Sequence, residues 1–417
     1  MSSQDQSSGL TGLAELKVCW VGGTRYSNPL NPTLDSKWRA IHTLGITIFI
    51  VGFANGLRPR RFRQQARFYL LPELPTSILR YVEMFLLVPP LLLWLIFRHD
   101  VSVMVAQSPF EGVAGALAKQ IARLFGKQVS LAIESHGDFE VAVFGQRQIA
   151  FAGAYRWFMK RAARYSLRHA DALRAVSGSS RQQLEQWMPG TPVIQFMTWI
   201  DFEAFGTVNR EQPLSQSWDL VCAAVLVPRK GQHILIEAFA QVADEFPAAK
   251  VWLLGKAENL EYATQLKAQV ERLGLANRVI FVGAVAQAEL AGYMGRARAL
   301  VLDSTSEGLP RVVMEAMNGG LVPVASAVSG TPEVIEDGVT GYLISPEDVP
   351  ALVKALQTMY RDPDIDAMGA RAQAFARQFF SQAAYVDGYR RLLETALDPT
   401  PNPSPNSGRE VNASLKG

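Results

Sequence analysis

Cysteine is nearly absent: the 417 residues hold two, Cys19 and Cys222. They can form at most one disulfide and fit no metal-ligand spacing, which excludes a cystine framework and a zinc cluster and makes a reducing compartment the expectation. A long hydrophobic run is missing too. The most apolar stretch, Phe85 to Phe97 (FLLVPPLLLWLIF), is interrupted by Pro89-Pro90, whereas a spanning helix needs around 20 residues. It reads as a buried or interfacial helix rather than a membrane span. Met1 to Leu16 has neither the basic start nor the apolar core of a signal peptide, so the expected location is cytoplasmic. No repeat of solenoid length is present, and no Gly-x-Gly-x-x-Gly follows any apolar run, which disfavours a solenoid and a dinucleotide dehydrogenase.

What is there is a chain able to bury cores. Hydrophobic residues make up 48% and charged residues 19%, and the length allows two to three domains at roughly 150 residues each. The net charge is +3, but residues 1–205 carry 22 basic and 14 acidic side chains, and the remainder 19 and 24. That asymmetry points the first half toward something anionic, or toward a membrane surface.

Short apolar runs at Leu16–Val21, Ile46–Phe53, Val101–Ala106 and Val129–Ile133 alternate with segments of helical spacing at Ala114–Leu124, Tyr155–His169 and Ser179–Trp187. Such alternation predicts a mostly parallel sheet. The pattern restarts with runs at Leu220–Val227, Val251–Leu254, Val279–Val282, Ala299–Leu302 and Val322–Ala325, separated by helical segments such as His233–Ala243 and Glu261–Leu273. The expected organisation is therefore α/β with two Rossmann-like domains facing across a cleft. The N-terminal one would span residues 1–205. A linker follows at 206–217, then the second domain at 218–375. A helix at 376–397 would pack back toward the first domain, and the Pro-rich tail from 398 to 417 cannot order itself.

Ser304 to Pro332 carries the most chemistry. After the run Ala299–Leu302 comes a loop with Glu307 and Gly308, and Pro310 sits where a first helical position tolerates it. The amides of that helix end suit a diphosphate. Two acids beside an anion site are unsuited to phosphate, because like charges repel. They suit hydroxyls, since a carboxylate accepts two hydrogens from a vicinal diol. A dipole-favouring acid plus an ordinary surface glutamate is the bland alternative.

Glu307-Gly308-Leu309-Pro310 with Glu315, then Gly320-Leu321-Val322-Pro323, Gly330-Thr331-Pro332-Glu333 and Val279 to Gly283 upstream, resembles the Glu-x7-Glu signature of the retaining glycosyltransferases of family 4, which adopt the GT-B fold. The resemblance is clearest over residues 220–345, and it implies that the domain at 1–205 binds the acceptor and the domain at 218–375 the nucleotide sugar. It implies that Glu307 contacts the donor sugar, that amides of Gly308, Leu309, Pro310 and Arg311 hold its hydroxyls or diphosphate, and that Glu315 takes the ribose diol. Val282 and Gly283 would lie beside the base. Lys230 and Arg229 would face the diphosphate, with Val225 standing where the family shows an arginine. In the first domain, Gly22-Gly23 matches the family's glycine loop and His136 its active-site histidine. Thr198-Trp199-Ile200-Asp201 replaces the usual Asn-Gly-Val-Asp.

The expected activity is a metal-independent, retaining transfer of a hexose-type unit from a nucleoside diphosphate sugar to a glycan or lipid-linked acceptor in cell-surface polysaccharide or glycolipid synthesis. No cofactor is expected. The only Asp-x-Asp spacing, Asp362 to Asp366, reads as a turn joining helices. A nucleotide-sugar 2-epimerase of the same fold and a catalytically weak membrane-associated binding protein are the competing readings. Basic runs at Arg58, Arg60, Arg61, Arg63 and Arg67, and at Arg156, Lys160, Arg164 and Arg168 beside Trp157 and Phe158, suit an anionic membrane surface better than nucleic acid. A peripheral position on the inner membrane face would follow.

Overall fold

The computed structural model describes residues 13, 15–136, 152–199, 205, 210, 212–307, 309–328 and 330–399. The chain divides into two compact units, Met1–Met197 with Tyr385–Gly417, and Thr198–Ala384.

Unit 1 is built on an eight-stranded sheet in the order β3-β4-β2-β1-β5-β6-β7-β8. Its strands are β1 (Lys17–Tyr26), β2 (Thr47–Ala54), β3 (Arg60–Gln64), β4 (Ala66–Leu71), β5 (Val103–Ala106), β6 (Ser130–Ser135), β7 (Ala172–Ala175) and β8 (Val193–Gln195). The central runs are buried on both faces, as expected of a parallel sheet covered by helices: every residue of β5 and β7 is buried. The helices are α1 (Pro32–His42), α2 (Ser77–Leu86), α3 (Val88–His99), α4 (Gly112–Leu124), α5 (Ala152–Arg168) and α6 (Gly178–Trp187). The stretch read above only as a run of arginines folds into the antiparallel β3–β4 hairpin at the sheet edge.

Pro89-Pro90 does not break the apolar helix. The pair falls in the first turn of α3, where a missing N–H costs nothing, so only Leu87 separates α2 from α3. The helical segment Leu79–His99 is therefore 21 residues, long and apolar enough to cross a membrane by length and composition. Its α3 part is nonetheless built into the core, with Val88, Leu92, Leu95 and Ile96 buried beside Phe49 and Val51.

Unit 2 holds a six-stranded parallel sheet in the order β11-β10-β9-β12-β13-β14. Its strands are β9 (Leu220–Ala223), β10 (Val251–Leu254), β11 (Val279–Gly283), β12 (Ala299–Leu302), β13 (Val322–Ser326) and β14 (Tyr342–Ile344). The helices are α7 (Gln232–Val242), α8 (Leu260–Arg272), α9 (Gln287–Arg296), α10 (Arg311–Asn318), α11 (Thr331–Val334), α12 (Val349–Arg361) and α13 (Ile365–Phe379). A last helix, α14 (Gln382–Leu397), returns to unit 1 from Tyr385 onward. The expected linker at 206–217 differs where it is described. Leu214 is part of the unit 2 core, the backbone N–H groups of Leu214 and Ser215 donate to Asp366, and buried Arg298 donates to the carbonyls of Leu214, Ser215 and Ser217. Buried donors need acceptors, so the segment docks instead of hanging free. Asp362 to Asp364 joins α12 to α13, Asp366 lies in the first turn of α13, and Asp362 accepts from the Tyr342 hydroxyl at 2.8 Å. Of the predicted tail at 398–417, residues 400–417 lie outside the described residues.

Candidate active site

In an open parallel sheet a ligand binds beyond the carboxyl ends of the strands, where the strand order reverses. In unit 2 that reversal falls between β9 and β12. The loop after β9 carries Arg229 and Lys230, and the loop after β12 carries Glu307. The two are fastened together. Residues Pro228–Lys230 form one 3-10 turn, closed by Gly231 at φ 64°, and a Cβ on Gly231 would come within 1.8 Å of the Asp303 carbonyl oxygen. Only glycine tolerates both the left-handed φ and that approach. The Thr305 N–H adds a bond to the Arg229 carbonyl at 2.9 Å.

This seam brings Lys230 Nζ into an ion pair with Glu307 Oε1, both side chains largely buried. The Ser304 hydroxyl donates to the same oxygen at 2.6 Å, and the Ser326 hydroxyl holds the Ser304 carbonyl at 2.5 Å. Glu307 is thereby aimed by two donors from two strands' loops. The helix that follows begins at Arg311, with Pro310 as its N-cap instead of its first helical residue, and no side chain caps it. Glu315 is buried on that helix and takes a 2.9 Å bond from Arg311 Nε. Burial pushes the Glu315 carboxyl up, against the opposing pull of Arg311. Leu309 is half-buried and Pro310 buried, while Arg229 is exposed; Gly308 lies outside the described residues. Val282 and half-buried Gly283 end β11, where Gly283 (φ 89°) accepts the Gly255 N–H at 2.8 Å.

Ser304 and Asp303 were not singled out from the sequence. Asp303 is buried behind the Lys230 turn, with Oδ2 lacking a partner among the described residues, and burial raises its pKa to about 6. An acid directly after a buried strand is the sequence signal that could have found it.

Unit 1 repeats the logic. Its strand order reverses between β1 and β5, and the expected glycine loop after β1 is different in kind: the strand continues to Tyr26 through an irregularity between Val21 and Arg25. A Cβ on Gly22 would lie 1.9 Å from Gln107 Oε1, and one on Gly23 would lie 3.1 Å from Glu111 Oε1. The close approach is thus to the side chains that follow β5. Gln107 also accepts from the Thr24 hydroxyl at 2.8 Å. Burial raises the Glu111 pKa to about 7. Such a carboxyl favours folding while protonated, so its contribution is complete below the ordinary carboxylate value near 4.5 and lost as pH rises through 7. Thermal melts across that window should show wild-type stability falling by on the order of 2 kcal/mol; Glu111→Gln should flatten the slope, and an unchanged slope would refute the assignment.

His136 directly follows β6, its Nε2 3.1 Å from Glu134 Oε2. Glu134 is fully buried, and Arg174 Nη1 and the Tyr389 hydroxyl both donate to its Oε1, at 3.0 and 2.6 Å. Glu134, Arg174 and Tyr389 support a predicted site residue without having been predicted themselves.

Two parallel-sheet α/β units, each with polar groups gathered where its strand order reverses, define the architecture of the GT-B glycosyltransferases. Residues 31–195 match the family model for a glycosyl transferase 4-like domain, and residues 207–378 that for glycosyl transferases group 1. Each unit thus matches a glycosyltransferase family model of its own. It is similar to the sulfoquinovosyl transferase SQD2 of Arabidopsis thaliana, 26% identical over 83% of this chain and 66% of that protein. It is also similar to a GDP-mannose-dependent phosphatidylinositol monomannoside mannosyltransferase of Mycolicibacterium smegmatis, 29% identical over 53% of this chain and 62% of that one. The chain thus spans somewhat less than two thirds of these relatives. Among solved structures, Anabaena HepE in complex with UDP shares the fold at a TM-score of 0.71 and 23% identity, covering 91% of this chain and 100% of that one.

Proposed function

We propose that the chain transfers a sugar from a nucleoside diphosphate sugar to an acceptor hydroxyl, with retention and without a metal. The observation that carries this reading is the Lys230–Glu307 pair, fixed by the Gly231–Asp303 seam beside an uncapped helix start. An ammonium has three donors; one engages Glu307, and two remain to meet a departing diphosphate. The amides opening α10, in the same loop-to-helix segment as Glu307, add partial positive charge. Glu307 would accept from the sugar hydroxyls, and Glu315 from the ribose diol. Charge building on the leaving group is then offset by fixed donors in place of a divalent ion.

Retention follows, on this reading, if acceptor attack and diphosphate departure share one face of the sugar, the diphosphate helping to take the acceptor proton. His136, Gly22 and Gly23 would serve the donor sugar and acceptor from unit 1. The mannosyltransferase relative is named for a phosphatidylinositol acceptor, which supports a lipid-linked or glycan acceptor here.

Thermal-shift screening with UDP, GDP and ADP sugars, followed by acceptor panels, tests the proposal. Transfer with an α-configured product from an α-configured donor is the expected result. Glu315→Ala should weaken nucleotide-sugar binding by about 10- to 100-fold through a lost charged hydrogen bond, read by calorimetry; unchanged affinity would remove Glu315 from the site. A second reading draws on Glu111 and Asp303, carboxyls held near neutrality as acid–base chemistry requires. Donor incubated alone and recovered as its epimer would establish that isomerase and overturn transfer.

A further inference from the structure

The helices on one face of the unit 1 sheet leave a second surface unexplained. On α2, Leu79, Val82 and Leu86 recur at helical spacing and are exposed, as is Leu87 at the joint with α3; Leu86 is 66% exposed. Beside them, across a Phe85–Phe158 ring contact of 6.3 Å, α5 presents Trp157 (63%) and Phe158 (52%). So many large apolar side chains seldom lie together on the outside of a soluble protein without a purpose.

Their electrostatic setting identifies what covers them. The helices α2, α3, α4 and α5 contain a single acid, Glu83, and it is buried. On α5 alone stand Arg156, Lys160, Arg161, Arg164 and Arg168, the Arg161 guanidinium lying 5.2 Å from the Trp157 ring centroid. At the far side of the same layer the β3–β4 register sets Arg61 opposite Tyr69 and Arg63 opposite Arg67, with Arg61 5.6 Å from the Trp94 ring. Both basic runs therefore flank one apolar helix layer. An apolar protein partner would desolvate these cations without a counter-charge, and a nucleic acid would leave the leucines uncovered. An anionic bilayer satisfies both, taking apolar side chains below its headgroups and cations among its phosphates.

We propose that unit 1 docks on an anionic bilayer through the exposed face of α2 and the first turns of α5, lying on the membrane without crossing it. Crossing would require α3 to leave the sheet, exposing Val88, Leu92, Leu95 and Ile96. The inference goes beyond the transfer reading and does not depend on it.

Flotation of the full chain with vesicles of phosphatidylcholine alone, or with added phosphatidylglycerol, tests it. Anionic vesicles should carry roughly tenfold or more protein than neutral ones, less as salt rises. Leu86→Glu combined with Trp157→Glu should abolish flotation, and Arg156→Glu with Arg161→Glu should reduce it to the neutral level. These side chains are exposed, so melting should be unchanged, and Leu260→Glu, an exposed leucine of unit 2, serves as a control expected to float normally. Equal partition into both vesicle types, flotation unaffected by the variants, or a solution dimer that Leu86→Glu dissociates would overturn the proposal. No donor or acceptor enters the assay, so its failure leaves the transfer reading standing, and protein that floats but transfers nothing counts against transfer alone.

Discussion

Alanine at Lys230 is expected to lower kcat by about 10²- to 10³-fold, with donor affinity changed by less than about tenfold. The asymmetry follows from where the charge appears. In the bound donor each diphosphate oxygen already carries its share of charge, and solvent and helix amides meet part of it. On bond cleavage the leaving oxygen gains more, and a cation fixed beforehand stabilises that increment most. Two candidate substitutes are weakened: Arg311 is bonded to Glu315, and position 225 is a valine. Lys230→Arg keeps the charge but spreads it over a wider fork, so only partial recovery is expected. Because Lys230 also holds Glu307, Ser304→Ala provides the comparison that loosens Glu307 without removing the cation. Steady-state kinetics on the three variants decides the matter; Lys230→Ala within about threefold of wild type, or Ser304→Ala matching its loss, would assign Lys230 to structure alone.

Local chemistry is what could be read before the fold was seen. Glu307, Pro310 and Glu315 lie within one loop and helix, so their relation depends on turn geometry and helical period, which neighbouring residues encode. The parallel runs were equally legible because a strand buried on both faces has no alternation to obscure. Pairings across the sheet were not. Gly22 was expected in a glycine loop by resemblance, and what a Cβ there would meet is Gln107, brought there by the β1–β5 pairing. Pro89-Pro90 looked like an interruption because a proline's effect depends on where the helix begins, and the first turn of α3 accommodates both. Glu134 directly follows an apolar run, and its partners come from a strand and from the last helix; no periodicity reports such a meeting.

That meeting carries the largest expected loss of stability. Arg174→Met should destabilise unit 1 by about 3–5 kcal/mol, because it leaves Glu134 charged and buried without its counter-ion. Burial alone would push the Glu134 carboxyl up, but Arg174 and His136 more than offset it and hold it well below the usual carboxylate range. The guanidinium is also stacked on rings, 4.0 Å from the Phe196 centroid and 5.1 Å from that of Tyr389, so the variant loses cation–π contact as well. Tyr389→Phe keeps the ring and removes only the hydroxyl that donates to Glu134, and should cost about 1–2 kcal/mol. The pH dependence separates the charge from the packing. A depressed carboxylate stabilises fully above its unfolded pKa, near 4.3, and that stabilisation is lost as pH falls toward its folded value. Wild-type protein should therefore lose stability in acid through this group, whereas Glu134→Gln should lack that limb while starting from a lower plateau. Denaturant unfolding monitored at neutral and acid pH tests both statements: an Arg174→Met variant as stable as wild type would show that packing, not the ion pair, fixes the strand end from which His136 projects.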